Sequence, residues 1–202
     1  LMGQTTLPNR PRRAQIQQAM DLDQFYTTRP IAAQCFREAL AFLQADGVSP
    51  QDALWMEPSA GDGAFFDLLR NGGYASIGFD LDPKTDAVVL RDFLTVDRTL
   101  LARHFGAPFL STPLITLGNP PFGKNASLAK QFFNHAAELS QYICFIVPRT
   151  FEKDSVHRQL DVSFHLMQET VLPLDSFTLL GVPFPVPCVF QIWKKLPTPR
   201  VL

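Results

Sequence analysis

The sequence predicts an α/β protein built on a single, doubly wound and mostly parallel sheet of seven strands. Two observations carry this prediction. Between residues 50 and 147, short apolar runs alternate with segments of helical periodicity, and such alternation is typical of a parallel sheet with helices on both faces. Near the carboxyl end, two further strand candidates follow one another without a long helix between them, which predicts an antiparallel hairpin at one edge.

The strand candidates are short apolar runs bounded by glycine, proline or acidic residues. They span residues 53–57, 76–80, 87–90, 113–118, 142–147, 164–172 and 189–194. The run 142–147 is apolar throughout, so we expect it near the centre of the sheet. The helix candidates, which place apolar residues on one face, span residues 31–46, 65–71, 99–105 and 128–139.

Length and composition indicate one globular domain. The 202 residues are 46% hydrophobic and 18% charged, and we expect a flexible arm over residues 1–22 and a domain over residues 23–202. Three widely spaced cysteines in apolar surroundings, Cys35, Cys144 and Cys188, indicate the buried thiols of a cytoplasmic protein. Because no His or Cys pattern has metal-ligand spacing and no apolar run approaches ~18 residues, we expect neither a metal nor a membrane span.

Charge is unevenly distributed along the chain, although the net charge is only −1. Residues 1–37 carry five arginines against two aspartates, residues 38–97 carry eleven acids against three bases, and residues 98–202 carry ten bases against six acids. An acidic middle between basic ends suits a cationic ligand in the middle and a polyanion across the ends. Ordinary surface charge is the alternative, and the pattern alone favours a ligand only slightly.

The most distinctive stretch is Asn119-Pro120-Pro121-Phe122, which directly follows the strand candidate 113–118. Because proline has no N–H to donate, the two prolines end the strand, and the chain leaves the sheet with an amide before them and an aromatic ring after them. Open α/β sheets bind their ligands at this end of the strands. An ordinary proline-rich turn is the alternative, since the chain contains 17 prolines.

A glycine turn, residues 57–63, follows the first strand candidate. Gly61 and Gly63 allow a tight turn and a close approach of the backbone to a ligand. The turn lacks the glycine spacing of a dinucleotide fingerprint and the lysine of a P-loop. Glu57 and Asp62 instead place negative charge beside it, which would repel a pyrophosphate and attract an ammonium or sulfonium group. A plain glycine turn is the alternative.

Carboxylates end the next two strand candidates. Asp80 and Asp82 lie about twenty residues beyond the glycine turn, where an acidic side chain of a βαβ unit can accept hydrogen bonds from ribose hydroxyls. Asp92 and Phe93 end the following strand and could bind and pack an adenine ring. Capping carboxylates and a core phenylalanine are the alternative for these positions.

Taken in chain order, these motifs resemble those of the S-adenosylmethionine-dependent amino-methyltransferases. The nearest resemblance is to the N6-adenine branch of the class I, Rossmann-like fold, and it covers residues 23–195. The matching motifs are Phe25-Tyr26-Thr27-Thr28, Glu57-Pro58, Ala60-Gly61, Gly63, Asp80, Asp92-Phe93 and Asn119-Pro120-Pro121-Phe122. The sequence departs from the family at Thr28, where a proline is usual, and Pro30 comes two residues later.

The resemblance implies S-adenosylmethionine as cofactor and two groups of site residues. The catalytic positions would be Asn119, Pro120, Pro121 and Phe122. The cofactor-binding positions, in order from its methionine part through its amino-acid end and ribose to its adenine, would be Phe25, Tyr26, Thr27, Glu57, Ala60, Gly61, Gly63, Asp80, Asp92 and Phe93.

The chemistry of the Asn-Pro-Pro-Phe motif can also be argued from its residues. An exocyclic amino nitrogen is a poor nucleophile because its lone pair is delocalised into the ring. The Asn119 side-chain oxygen and the Pro120 carbonyl would accept its two N–H groups and stabilise the positive charge that develops on the nitrogen. Phe122 would stack on the ring and fix the direction of attack on a methyl group. A sulfonium leaving group needs neither a metal nor a strong base.

We therefore expect methyl transfer to adenine N6 in DNA or RNA, with a base in a duplex leaving the stack to react. The alternatives are protein glutamine N5, guanine N2, and a catalytically silent scaffold of the same fold. Basic residues after the fourth and fifth strands would contact phosphates or form ordinary solvated surface: Lys124, Lys130, Arg149, Lys153, His157 and Arg158. About 80 residues follow Phe122, so we expect no separate target-recognition domain, and target choice would come from the arm, the loops or a partner subunit.

Overall fold

Ten strands and six helices are present in the computed structural model, which describes residues 12–21 and 25–202. The strands are β1 (Phe25–Thr27), β2 (Leu54–Glu57), β3 (Ala75–Asp80), β4 (Val89–Leu90), β5 (Leu114–Gly118), β6 (Tyr142–Pro148), β7 (Phe164–Val171), β8 (Phe177–Leu179), β9 (Val182–Pro183) and β10 (Cys188–Lys195). The helices are α1 (Arg13–Asp21), α2 (Arg29–Ala45), α3 (Phe66–Asn71), α4 (Arg98–Phe105), α5 (Ser127–Leu139) and α6 (Asp154–His157).

Seven strands form the main sheet in the order β4-β3-β2-β5-β6-β10-β7. Neighbours from β4 to β6 pair in parallel, and β10 pairs antiparallel with both β6 and β7. The predicted seven-stranded, mostly parallel sheet and its terminal antiparallel pair are thereby confirmed. Because β10 inserts between β6 and β7, the edge strand on this side is β7 rather than the last strand of the chain.

Helices cover both faces of this sheet and bury two separate cores. Alternate side chains of β6 point to opposite faces, as they must along a strand: Ile143 and Phe145 join one core, while Cys144 and Ile146 join the other. The first core is closed by α4 and α5, and the second by α2 and α3. The three cysteines are buried and unpaired, as predicted.

The order of the strands reverses at β2, and this reversal positions the candidate site. From β2 the chain moves outward to β3 and β4, and it then returns to β5 on the other side of β2. The crossover connections therefore leave β2 and β5 in opposite directions, which opens a crevice at their carboxyl ends. The predicted glycine turn and the Asn-Pro-Pro-Phe motif directly follow these two strands.

A second sheet, in the order β1-β8-β9, was not predicted. Its first strand is Phe25–Thr27, which pairs antiparallel with Phe177–Leu179 from the other end of the chain. A strand of three residues carries almost no periodic signal, and its partner lies about 150 residues away. This sheet brings β1 to the mouth of the crevice.

Several boundaries differ from the predicted ones. Helix α2 begins at Arg29 rather than after Pro30, because a proline in the first turn loses no intrahelical hydrogen bond. Strand β4 is limited to Val89–Leu90. Within the predicted arm, Arg13–Asp21 forms α1, whereas residues 1–11 and 22–24 lie outside the described residues. Of the helices described, none is long and apolar enough to cross a membrane.

Candidate active site

A cleft of about 630 Å³ opens at the carboxyl ends of β2, β3 and β5, with β1 as a further wall. Thirteen of the fourteen predicted site residues line it: Phe25, Tyr26, Thr27, Glu57, Ala60, Gly61, Asp80, Asp92, Phe93, Asn119, Pro120, Pro121 and Phe122. Segments from five separate parts of the chain thus meet around one cavity. The fourteenth residue, Gly63, belongs to the same turn but does not line the cleft.

The backbone conformation at residue 61 and its close neighbours both require a glycine there. Its φ is +55°, a region that residues with a Cβ rarely adopt. Its N–H donates to Asp80 Oδ2 at 2.7 Å, which ties the turn to the end of β3. A Cβ at this position would lie 3.1 Å from the ring of Tyr26. The glycine therefore lets the β1 wall approach the turn closely.

Asp80 binds the glycine turn, and its carboxylate oxygens can still accept further hydrogen bonds. Oδ2 accepts from the Gly61 N–H, and Oδ1 accepts from the Asp82 N–H at 2.8 Å. Each carboxylate oxygen has two lone pairs, so both can accept a further hydrogen bond. Asp82 in turn forms an exposed ion pair with Lys84. The predicted capping role of Asp80 is thus present, together with a position in the cleft wall.

Glu57 is the buried acid of the cleft, with 1% of its surface exposed. Its Oε1 accepts from the Ser59 N–H at 2.9 Å. Burial is the main cause that raises its pKa to about 8; the hydrogen bond from Ser59 opposes this rise, and the nearby Asp80 and Asp62 carboxylates add to it. The side chain lies against Gly118 at the end of β5, where any Cβ would overlap the carboxyl group. Sequence reasoning missed Gly118, although a glycine inside an apolar strand indicates a close approach by another group.

Asn119 lines the cleft and carries a buried acceptor without a partner. Its Nδ2 donates to the Phe25 carbonyl at 3.3 Å, and this bond identifies the other side-chain atom as the oxygen. Within the described part of the chain, that Oδ1 atom is buried and has no hydrogen-bond partner. The Thr27 hydroxyl, which also lines the cleft, is buried and unpaired in the same sense.

The chain after Asn119 is anchored to α5. The Phe122 carbonyl accepts from the Leu128 and Ala129 N–H groups, both at 3.1 Å. Asn125 and Ala126 between them have φ values of 54° and 59°, which cost conformational energy in a residue with a Cβ. A tight, strained turn therefore fixes where the motif leaves the sheet.

Asp92 and Phe93 combine a structural and a lining role. Asp92 Oδ1 accepts from the Leu94 N–H and so caps a short 3₁₀ turn. Phe93 is 1% exposed and packs against Phe79 and Phe132. Both residues nevertheless form part of the cleft surface.

The electrostatic character of the cleft is acidic. One basic side chain, Arg91, lies among the lining residues, and it is bound to Thr95. The acidic lining residues are Glu57, Asp62, Asp80, Asp82 and Asp92. The six basic candidates for phosphate contact lie outside the lining, and Arg149 is paired with Glu152. Among the described residues, no three His, Cys, Asp or Glu side chains come together as metal ligands.

The fold can now be compared with solved structures. The magnesium protoporphyrin IX methyltransferase of Synechocystis PCC 6803, solved with bound SAM, matches with a TM-score of 0.55 and 12% identity over 93% of this chain and 87% of that one. The 23S rRNA methyltransferase ErmE matches with a TM-score of 0.52 and 14% identity over 82% of this chain and 70% of that one. The chain has a methyltransferase fold.

At these identities the likeness concerns the fold alone. No family model matches the chain, and no curated protein matches it. The two solved methyltransferases are named for a porphyrin and for a ribosomal RNA, so this fold serves acceptors of unrelated chemistry. The function must therefore be argued from the cleft itself.

Proposed function

We propose that the protein is an S-adenosylmethionine-dependent methyltransferase that modifies an exocyclic amino group, with adenine N6 of a nucleic acid as the favoured acceptor. The observation that carries this proposal is the side-chain oxygen of Asn119, a residue of the cleft lining directly after β5; this oxygen is buried and has no hydrogen-bond partner in the described part of the chain. A buried acceptor without a partner lowers stability, so it is best explained by a ligand that donates to it.

The acidic cleft suits the charge of the proposed cofactor. S-Adenosylmethionine supplies a methyl group on a positively charged sulfur, and it also carries an ammonium group. Asp62 at the glycine turn would attract both charges, whereas it would repel a pyrophosphate. Asp80 keeps lone pairs for ribose hydroxyls, and the unpaired Thr27 hydroxyl could donate to the carboxylate of the amino-acid end.

On the acceptor side, Asn119 Oδ1 would accept one N–H of the amino group, and the Pro120 carbonyl would accept the other. These two contacts oppose delocalisation of the nitrogen lone pair and stabilise the positive charge that develops as the nitrogen gains a methyl group. The bond from nitrogen to the methyl carbon would form as the bond from that carbon to sulfur breaks, so that the sulfur leaves as a neutral thioether. The nitrogen would then lose one proton to water and become a neutral secondary amine. Phe122, a half-buried ring beside these acceptors, would stack on the base and orient it.

A nucleic-acid acceptor is favoured by the resemblance of the Asn-Pro-Pro-Phe motif to the N6-adenine branch. Because the six basic candidates lie outside the cleft lining, their contacts to phosphates would be made on the surrounding surface. A partner subunit for target choice remains part of this proposal.

The test is methyl transfer from labelled S-adenosylmethionine to matched single-stranded DNA, duplex DNA, RNA and total protein, followed by identification of the labelled residue. Asn119→Ala should abolish the label, and Asn71→Ala, an exposed asparagine at the end of α3, should not. Label in N6-methyladenine would support the proposal. Label in protein glutamine or in guanine N2 would move the assignment to those acceptors, and cofactor binding without transfer to any acceptor would favour the silent scaffold.

A further inference from the structure

Arg29, the first residue of α2, clamps the glycine turn. Its Nη1 donates to the Gly63 carbonyl at 3.2 Å and to Asp67 Oδ2 at 2.7 Å, while its Nη2 donates to the Asp62 carbonyl at 2.9 Å. One planar guanidinium thus reaches three acceptors in the segment that follows β2. Sequence analysis did not identify Arg29 as a site residue, and it lies outside the cleft lining.

The clamp acts on the most conformationally free part of the turn. Gly61 and Gly63 both have positive φ values, of +55° and +91°. A segment with two such glycines samples many backbone conformations when nothing restrains it. Fixing the consecutive carbonyls of residues 62 and 63 selects one of these conformations before a ligand arrives.

The clamp also explains why residue 63 is a glycine. A Cβ at Gly63 would lie 2.9 Å from both carboxylate oxygens of Asp67, which is the charged partner of Arg29. Gly63 therefore makes room for the Arg29–Asp67 pair. This role accounts for its place in the motif even though it does not line the cleft.

Arg29 further connects two walls of the cleft. It comes two residues after Thr27, the last residue of β1, and β1 forms a wall of the cleft beside the turn. The ring of Tyr26 already lies against Gly61. By tying the start of α2 to residues 62–67, Arg29 sets the distance between these walls.

We propose that Arg29 is a positioning residue for the amino-acid end of the cofactor, an inference that rests on the proposed function. The side chains of Arg29 and Asp67 are 55% and 40% exposed, and an ion pair this exposed contributes little to stability. Its effect is instead to preorganise the turn, so that the ligand does not have to order it on binding. A lysine at this position could not reproduce the effect fully, because an ammonium lacks the fixed, planar arrangement of donors.

The test compares two ligands that differ only at the end in question. S-Adenosylhomocysteine carries the amino-acid end, whereas 5′-methylthioadenosine shares its adenosine part and lacks that end. For Arg29→Met, we expect the Kd for S-adenosylhomocysteine, measured by calorimetry, to rise about tenfold because the turn must be ordered on binding. The Kd for 5′-methylthioadenosine should change by less than about twofold, because the Asp80 and Asp92 sides of the cleft stay intact.

Three further variants complete the test. Arg29→Lys should give an intermediate Kd for S-adenosylhomocysteine. Asp67→Asn, which keeps the size of the side chain, should show the same pattern with a smaller change. Arg37→Met removes an exposed arginine from the same helix and should change neither Kd. Thermal unfolding of all variants should agree to within a few degrees, since the clamp is exposed.

Each contrary result has a separate meaning. Equal weakening of both ligands by Arg29→Met would make Arg29 a structural residue and overturn the inference. Unchanged binding of both ligands would overturn it as well. If the unaltered protein bound neither ligand, the proposed function itself would be contradicted, and that outcome is visible before any variant is made.

Discussion

The two sides of the cleft satisfy their polar groups in opposite ways. On the glycine-turn side, formed by residues 57–63 and the end of β3, donors and acceptors bind one another. The Gly61 N–H binds Asp80, and the Ser59 N–H binds Glu57. Each of these contacts joins two groups of the protein itself.

On the Asn119 side, formed by residues 119–122 and β1, two polar atoms lack a hydrogen-bond partner among the described residues. The Asn119 Oδ1 and Thr27 Oγ1 atoms are buried and unpaired in the part of the chain that the structure describes. A buried polar group without a partner costs about 1–3 kcal/mol. The difference indicates that the glycine-turn side is preformed by the scaffold, whereas the Asn119 side is completed by what binds there.

The largest expected effect is on the pH dependence of the free energy of unfolding, and it tests whether the buried Glu57 carboxyl group of the glycine-turn side is protonated in the fold. Its pKa is about 8 in the fold against an ordinary value of 4.5, so between these pH values the folded state binds more protons than the unfolded chain. The free energy of unfolding should therefore fall as pH rises through this window, by up to about 1.4 kcal/mol per pH unit from this residue. Urea denaturation across the window measures the slope.

Glu57→Gln should remove this part of the pH dependence, and Asp52→Asn, a change at an exposed carboxylate, should leave it intact. An identical slope in Glu57→Gln and the unaltered protein would show that Glu57 is ionised in the fold. The glycine-turn side would then carry an uncompensated buried charge, and the contrast between the two sides would be lost.

Gly118→Ala tests the junction of the two sides. Its Cβ would overlap the Glu57 carboxyl group, so we expect a loss of about 2 kcal/mol in the free energy of unfolding, or a fall of roughly 4–8 °C in Tm. Glu57→Ala should remove the overlap, so the double variant should cost less than the sum of the two single changes in denaturation experiments. Strict additivity would mean that the two residues do not contact each other.

Gly61→Ala tests the contact between the turn and β1. A Cβ at φ +55° costs about 1–2 kcal/mol, and here it also presses on the Tyr26 ring. Gly73→Ala is the matched control, because Gly73 has a φ of +72° and open space around it. Both variants should lose stability, Gly61→Ala somewhat more because of the contact with Tyr26, but calorimetry should detect weaker S-adenosylhomocysteine binding only in Gly61→Ala. If Gly61→Ala and Gly73→Ala bound S-adenosylhomocysteine with equal affinity, the contact between residue 61 and the Tyr26 ring would play no part in ligand binding.

The smallest expected effect concerns the unpaired Thr27 hydroxyl. Thr27→Val should leave the free energy of unfolding unchanged or raise it by about 1 kcal/mol, while weakening S-adenosylhomocysteine binding a few-fold. Thr116→Val, which removes a buried hydroxyl bonded to Ser140 at 3.0 Å, should lower stability by about 1 kcal/mol. A destabilised Thr27→Val would show that this hydroxyl has a partner in the folded protein.

Much of the cleft could be predicted because its chemistry is local in the chain. The Asn-Pro-Pro-Phe motif and the glycine turn each follow a strand directly, so the alternation of strands and helices was enough to place both at the same edge of the sheet. Asp80 could be placed for the same reason. Patterns of this kind depend on a few neighbouring residues and on one general rule of topology.

The remaining features depend on pairings between distant residues, which no local pattern reports. The strand that contains Tyr26 forms by pairing with β8, which lies about 150 residues later in the chain. Arg29 binds acceptors 33 to 38 residues away, and its role becomes visible only when the turn is seen in three dimensions. The glycine at position 118 is visible in the sequence as a glycine inside an apolar strand. The reason for it, the buried Glu57 carboxyl group, lies on a neighbouring strand.

The most direct test of the central claim measures Asn119→Ala in two ways on the same preparation. If the Asn119 oxygen binds the acceptor amino group, the single-turnover rate of methyl transfer should fall on the order of 100-fold. The Kd for S-adenosylhomocysteine should change by less than about twofold, because the glycine-turn side is preformed. A transfer rate close to that of the unaltered protein, or a loss of rate explained entirely by weaker cofactor binding, would contradict the account.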